Sequence, residues 1–397
     1  MNILVIGACP YPSGLGSQVY LRATAAALAS RGHRVRIAVY GWGESPEFPG
    51  RAAALDQASQ PAIPDPPHPE NTALARARLW GRVPQRVTSG PNRRKVLDDL
   101  ALWRLLRRLR RAEPPDAVCA HNHEALALAV AAGFKNIVYF AHNALAEELP
   151  WYVSGEERKR QAAARIGQLV DAFLPGRASM VIAPHHRLAG YLVLRGCPRE
   201  RIGILPPPAD PALLDLPLLP PSRMQPCPPV VYMGNLDAYQ NTDLLLRAVT
   251  RARELRPNLR LTVISRDPAV IPGAEIIPDQ GMDTLARVLS DDVIVAIPRA
   301  GWSGFPIKLV NALAAGKPIV TTDASAWGLA HDQNALIVPA GDERVFSEAL
   351  VRLVDRAELR SRLGKNARAT ALERHHPGLY AQQLESLIIS AATGKEN

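Results

Sequence analysis

The sequence predicts an α/β protein built from two doubly wound domains, and three observations point there. The chain has 397 residues, more than one core comfortably serves and enough for two domains that each bury an apolar interior. It opens on Met1-Asn-Ile-Leu-Val-Ile-Gly, an apolar run feeding a glycine-bearing turn, an Ala-rich helical stretch and a second apolar run, which is a β-α-β beginning. After a proline-rich interval, Val230-Val-Tyr-Met-Gly234 starts the same pattern again. The boundaries read as 1–205 for the first domain, 206–229 for a linker, 230–375 for the second domain and 376–397 for a terminal helix.

Composition narrows the function classes. With 47% hydrophobic and 21% charged residues the chain is of ordinary globular make-up. No apolar run approaches the ~20 residues of a spanning helix, so a soluble or peripheral protein is expected. The start reads as a strand and not as a basic leader, so a cytoplasmic protein is expected. Cys9, Cys119, Cys197 and Cys227 are scattered without metal-ligand spacing, and neither a metal nor a disulfide framework is expected. The net charge of +10 calls for an acidic partner, or reflects an Arg-rich genome without functional meaning. Aromatic residues make up 5% of the chain and no basic patch is interleaved with them, so nucleic acid is not an expected partner.

Taken in order, residues 3–6 form the first strand, 7–16 a Pro/Gly-rich connection, 19–30 a helix stopped by Gly32, and 33–39 the second strand. The turn at Gly14 and Gly16 either aims amides at a ligand or is only tight. Residues 41–71 lack a period and read as a surface loop. Residues 93–111 are an amphipathic helix, in which Leu97, Leu100, Leu105, Leu106 and Leu109 recur beside Arg93, Arg94, Lys95, Arg104, Arg107, Arg108, Arg110 and Arg111. It is either a core-packed helix with a solvated basic face or an attachment to an anionic membrane. His121, His123 and His142 fall at strand ends, where open α/β sheets gather ligands, whereas Glu147, Glu148, Glu156 and Glu157 read as solvated.

The second half is organised around residues 299–320. The apolar run 293–297 feeds a turn with Gly301, Ser303 and Gly304, Pro306 stands at the first helical position, Gly316 ends the helix, and 318–322 begins a strand. The amides of Gly304 and Phe305 would then have no intrahelical partner and sit at the positive end of a helix dipole, so an anion such as phosphate is the expected guest.

This stretch resembles the donor-site signature of family 4 glycosyltransferases of GT-B architecture, where Glu-Gly-Phe-Gly-x-Pro leads into a helix and seven residues separate two glutamates. Gly304-Phe305-Pro306 is kept, while Ser303 and Asn311 stand where the glutamates fall. In the family the first contacts the transferred sugar and the second the ribose. Residues 12–17 and 31–35 also resemble the family's N-terminal pattern, whose glycine loop faces the donor phosphate, and His142 matches a histidine near the reacting sugar. The resemblance implies two Rossmann-like domains facing across a cleft, with the terminal helix packing back on the first. It implies retaining transfer from an activated sugar donor, a nucleotide diphosphate in the family, to a hydroxyl of a glycan or lipid-linked glycan, without metal or cofactor.

Two departures follow from the same comparison. After Gly234 the family carries an arginine and a lysine that clamp the diphosphate, where this chain has Asn235 and Gln240. Arg266, Arg299 and Lys308 are the candidates to supply that charge instead, with plain surface charge as the other reading. A non-catalytic relative that binds a nucleotide or a partner enzyme is the alternative function, and a sugar-nucleotide epimerase of the same architecture a third.

Overall fold

Apolar runs ending in glycine or a polar residue become parallel strands here because each is buried on both faces and covered by the helix that follows it. The computed structural model describes residues 1–44, 52–54, 71–77, 93–266 and 270–393. The chain divides into one unit of Met1–Pro206 with Gly378–Asn397 and another of Pro207–Pro377.

The first unit runs through β1 (Asn2–Gly7), α1 (Gly16–Ser30), β2 (Arg34–Tyr40), β3 (Trp42–Glu44), β4 (Ala52–Ala54), β5 (Thr72–Ala77) and α2 (Arg93–Ala112). It continues with β6 (Ala117–His121), α3 (Asn122–Ala131), β7 (Ile137–Phe140), α4 (Leu145–Glu148), α5 (Glu157–Phe173), β8 (Met180–Ala183), α6 (His186–Leu194) and β9 (Ile202–Ile204). Seven strands lie in the order β5-β2-β1-β6-β7-β8-β9, all pairings parallel. Strand order reverses between β1 and β6, the topological switch where such sheets open a crevice at the carboxyl ends. Most of the loop expected over 41–71 lies outside the described residues. Within it β3 pairs antiparallel with β4, and just beyond it β5 adds an edge strand that the Ala-rich sequence did not announce.

The second unit holds α7 (Pro211–Leu214), β10 (Val230–Met233), α8 (Thr242–Leu255), β11 (Leu261–Ser265), β12 (Glu275–Pro278), α9 (Met282–Leu289) and β13 (Ile294–Ile297). It is completed by α10 (Ile307–Ala314), β14 (Ile319–Thr322), β15 (Leu336–Val338), α11 (Glu343–Asp355) and α12 (Ala357–Arg374). Its six parallel strands are ordered β12-β11-β10-β13-β14-β15, with the switch between β10 and β13. Apolar clusters cover both faces of the sheet.

The proline-rich stretch read as a linker is docked on this unit. Ala209 and Leu213 belong to its core, Arg368 donates to the carbonyls of Leu214 and Leu216, and the amide of Gln225 donates to Asp292 at 2.8 Å. That carboxylate is also paired at 3.0 Å with Arg360, which is 1% exposed and spends its remaining donors on the carbonyls of Leu353, Val354 and Gln225. Such a buried pair holds only because its hydrogen bonds are met. The backbone leaves the helical region at Arg356 and so separates α11 from α12.

The last helix, α13 (Pro377–Thr393), returns to the first unit. Tyr380, Leu384, Ile388 and Ala391 enter the core beside Leu21 and Leu28 of α1. Glu385 pairs with Arg31 at 2.7 Å and with His33 at 2.9 Å.

Candidate functional site

In the second unit the loops after β10 and β13 meet at the switch, joined by the Ala300 amide donating to the Tyr239 carbonyl at 3.0 Å. Thr322 donates to the Arg299 carbonyl and Thr321 to that of Ile297, so buried hydroxyls fix the start of the second loop. Gly234 closes β10 at φ +121°, a conformation that favours glycine, and a Cβ there would lie 3.1 Å from Lys308 Nζ.

Lys308 reaches back from the first turn of α10. Its amine donates to Tyr232 Oη at 2.8 Å and Gln240 Oε1 at 2.9 Å, and lies 4.0 Å from the Tyr232 ring centre. Tyr232 donates onward to the Asn235 carbonyl, and Gln240 Nε2 to Asn235 Oδ1 at 2.7 Å. Asn235 Nδ2 donates to Asp237 and to Tyr239 Oη. Burial, and after it the Arg299 charge, pull the Lys308 amine well below its ordinary value, with Asp237 opposing. It is a desolvated amine and not a solvated point charge.

Arg299 is 9% exposed, and its Nε has no partner among the described residues. Its guanidinium lies 5.1 Å from the Tyr239 ring centre and presses on Gly304, where a Cβ would come within 2.5 Å of Nη2. Pro306 is the N-cap of α10, one position earlier than expected, and supplies no side-chain cap. A buried guanidinium and uncapped helix amides therefore converge at one strand end, the arrangement that holds an oxyanion. Phe305 packs edge-on to His375 at 5.6 Å, fixing the turn from its other side.

Several expected positions differ. Arg266 is paired with Asp279 at 3.1 Å and is not a spare cation. Asn235 and Gln240 spend their amides on the network around Lys308. Ser303 is 0% exposed, fully buried in the turn before α10. Asn311, half-buried on α10, has no side-chain partner among the described residues.

At the switch of the first unit, the loop before α1 is held by Tyr11, whose amide donates to Trp42 and whose carbonyl accepts from Arg76 at 2.6 Å. Gly14 lies in that loop and Gly16 opens α1 at its exposed end. His142 Nε2 and His121 Nδ1 share a hydrogen bond of 2.9 Å. His121 stacks on Phe140 with ring centres 4.2 Å apart, and Tyr20 packs on both histidines. Burial first, then the neighbouring His123, lower His142 to about 3, so both rings are neutral at physiological pH.

His123 points elsewhere, to Asp171 at 3.0 Å. That carboxylate also accepts the amides of Leu145 and Ala146 and the Tyr191 hydroxyl. Glu148, read as solvated, accepts from Asn143 Nδ2 at 2.5 Å and from Tyr152, and burial raises its carboxyl. The ties of Asp171 join residues 20 to 48 apart in sequence and no local pattern announced them, whereas those of Glu148 are local.

The model of Glycosyltransferase Family 4 matches residues 15–213, half of the chain. The chain belongs to glycosyltransferase family 4. The model of Glycosyl transferases group 1 matches residues 227–356 of this family member. A phosphatidyl-myo-inositol mannosyltransferase of Mycobacterium leprae is 36% identical over 110 residues, 27% of this chain and 29% of that relative's length. Sucrose-phosphate synthase from Thermosynechococcus elongatus superposes over 100% of both chains with a TM-score of 0.74 at 15% identity. Anabaena HepE, solved with UDP-glucose, covers 98% of this chain and 100% of its own with a TM-score of 0.69 at 15% identity. At such identity the two structures speak to the fold, two parallel-sheet α/β domains of the GT-B kind.

Proposed function

We propose that this family 4 protein is a retaining glycosyltransferase that moves a sugar from a nucleotide-diphosphate donor to a hydroxyl of a glycan or lipid-linked glycan. The observation that carries the reading is Arg299, buried with an unpaired Nε against Gly304 at the uncapped start of α10. A leaving phosphate seated there would meet the guanidinium and the helix amides, with Lys308 one network away. As the anomeric bond breaks, its electron pair passes to the phosphate oxygen, which takes the acceptor's proton while the acceptor oxygen bonds the same face. Catalysis is then placement and electrostatic stabilisation of the departing charge. In this reading Asn311 would meet the ribose hydroxyls as donor and acceptor. The HepE structure with UDP-glucose supports the choice of donor class, and the mannosyltransferase relative supports a lipid-linked acceptor.

We further propose peripheral attachment on the cytoplasmic face of a membrane through α2, whose outer side carries Arg93, Arg104, Arg108 and Arg111 beside exposed Val96, Leu97 and Leu100. No helix among the described residues is long and apolar enough to cross a membrane.

A second reading, a non-catalytic relative that only binds a nucleotide, is favoured by the commitment of Asn235, Gln240 and Arg266 to internal bonds. One screen separates them. Nucleotide sugars and lipid-phosphate sugars are offered to the protein while hydrolysis, transfer and thermal stabilisation are read together. Turnover that falls with Arg299→Ala supports the enzyme, stabilisation without turnover supports the binding protein, and neither with any donor removes both.

A further inference from the structure

Helix α5 is amphipathic in the wrong sense for a water-facing helix. The side turned to the protein carries Ala163, Gly167 and Asp171. Gly167 packs so closely on α4 that a Cβ would lie 2.4 Å from the Ala146 nitrogen. Asp171 accepts the two amides that open α4. The opposite side carries Ala162, Ile166, Leu169 and Phe173 at spacings of four, three and four, of which Ile166, Leu169 and Phe173 are 57%, 72% and 63% exposed. At 100° per residue this band is turned roughly 130° from the buried stripe. The large apolar side chains face out and the small ones and the carboxylate face in, the reverse of what burial alone would select.

The charges bordering the band are of one sign. Arg158 and Arg165 lie along one edge and Lys159 along the other, all exposed, and the Arg177 guanidinium sits 4.2 Å from the Phe173 ring centre. Glu157, the acidic residue of the first turn, projects roughly 150° away from the band, and Asp171 is 1% exposed. We infer that the outer face of α5 is an interfacial docking surface for an anionic lipid bilayer. Ile166, Leu169 and Phe173 enter the acyl boundary while Arg158, Lys159, Arg165 and Arg177 stay at the level of the lipid phosphates. A second copy of the chain fits less well, because pairing across the band would oppose the same cations to one another.

The inference is independent of the donor-site reading and of α2. The full chain is sedimented with vesicles of phosphatidylcholine alone or mixed with phosphatidylglycerol, as wild type, as the Ile166→Ser/Leu169→Ser/Phe173→Ser triple, as Leu169→Ser, and as Arg165→Gln/Arg177→Gln. Binding is expected only with the anionic lipid and should weaken with salt. Each serine costs about tenfold or more in partitioning, and each lost cation roughly fivefold. Melting temperature and nucleotide stabilisation stay unchanged, since every altered side chain is exposed. Wild type absent from anionic vesicles, or a triple variant that binds as wild type does, overturns the inference. A lipid-free dimer that the triple converts to monomer, with vesicle binding untouched, gives the face to a second copy instead.

Discussion

The two sheets reverse their strand order in the same way, yet the groups they gather at the reversal differ in kind. At the first, His121 and His142 are bonded to each other, stacked among Tyr20 and Phe140 and held neutral. At the second, Arg299 Nε is without a partner among the described residues, beside an amine whose charge burial disfavours. Each reversal leaves one buried nitrogen unmet among the described residues, but His121 Nε2 belongs to a ring held neutral and Arg299 Nε to a guanidinium, so only the second has charge left to answer. A buried group without a partner is costly in the empty protein, and a ligand of opposite charge recovers that cost on binding. The contrast between a neutral ring and a buried cation is the ground on which the proposed anion site is put in the second sheet.

The largest test of that contrast is Arg299→Ala. It should weaken nucleotide-diphosphate affinity by on the order of a hundredfold, as losing paired charge-assisted hydrogen bonds does. Calorimetric titration reads the affinity. The melting temperature should hold or rise, because the variant removes a buried donor that the free protein leaves unmet. A lower melting temperature with affinity intact would make Arg299 a structural residue like its counterparts in the first sheet.

Lys308→Met comes next, with roughly tenfold weaker binding from the lost cation and a linked proton effect. The folded amine lies well below its usual 10.5, so at alkaline pH the unfolded chain holds the extra proton. Stability therefore rises as pH climbs toward 10.5 and falls as pH drops toward the lowered value. Lys317, buried and brought to about 8, contributes in the same direction. A phosphate beside Lys308 would restore its proton, so titrations in buffers of different ionisation enthalpy should show uptake of up to about one proton per donor. No uptake in wild type would mean that the amine never meets the anion.

Gly304→Ala is a milder disturbance of the same cluster. The new methyl meets Arg299 Nη2 at 2.5 Å, the far end of a flexible side chain, so the guanidinium moves and the backbone stays. Affinity should drop by about tenfold, less than on deleting the charge. A loss equal to that of Arg299→Ala would show that the backbone approach at Gly304 matters as much as the cation.

What the sequence made legible follows a physical divide. Central strands such as β6, β10 and β13 are continuous apolar runs ended by glycine, proline or a polar residue, and their burial needs no knowledge of partners. The edge strand β5 is Ala-rich and half-buried, and a period-two signal has little to work with there. Within the site, the turn at Gly304 to Pro306 was visible because backbone constraints write themselves into local residue choice. The pairing of Arg266 with Asp279, of Lys308 with Tyr232 and of His123 with Asp171 was not, since each joins elements that only the fold brings together. Burial of Ser303 escaped for the same reason.

His142 offers the smallest effect and tests the first reversal directly. Its lowered value near 3 means that the folded ring stays neutral where an ordinary histidine, near 6.5, would take a proton. Between those values only the unfolded chain gains a proton, so stability should decline as pH falls from 6.5 toward 3. The pH profile of kcat/KM should carry no acid limb from this residue. His142→Gln, which keeps a hydrogen bond to His121, should lose only a few-fold in rate, whereas His142→Phe leaves His121 with both ring nitrogens buried and unpaired and should cost stability by about 1–3 kcal/mol. A limb near 6.5 in the wild type that vanishes in His142→Gln would put a charged imidazolium at the first reversal, and the distinction between a neutral sheet end and an anion-seeking one would fall.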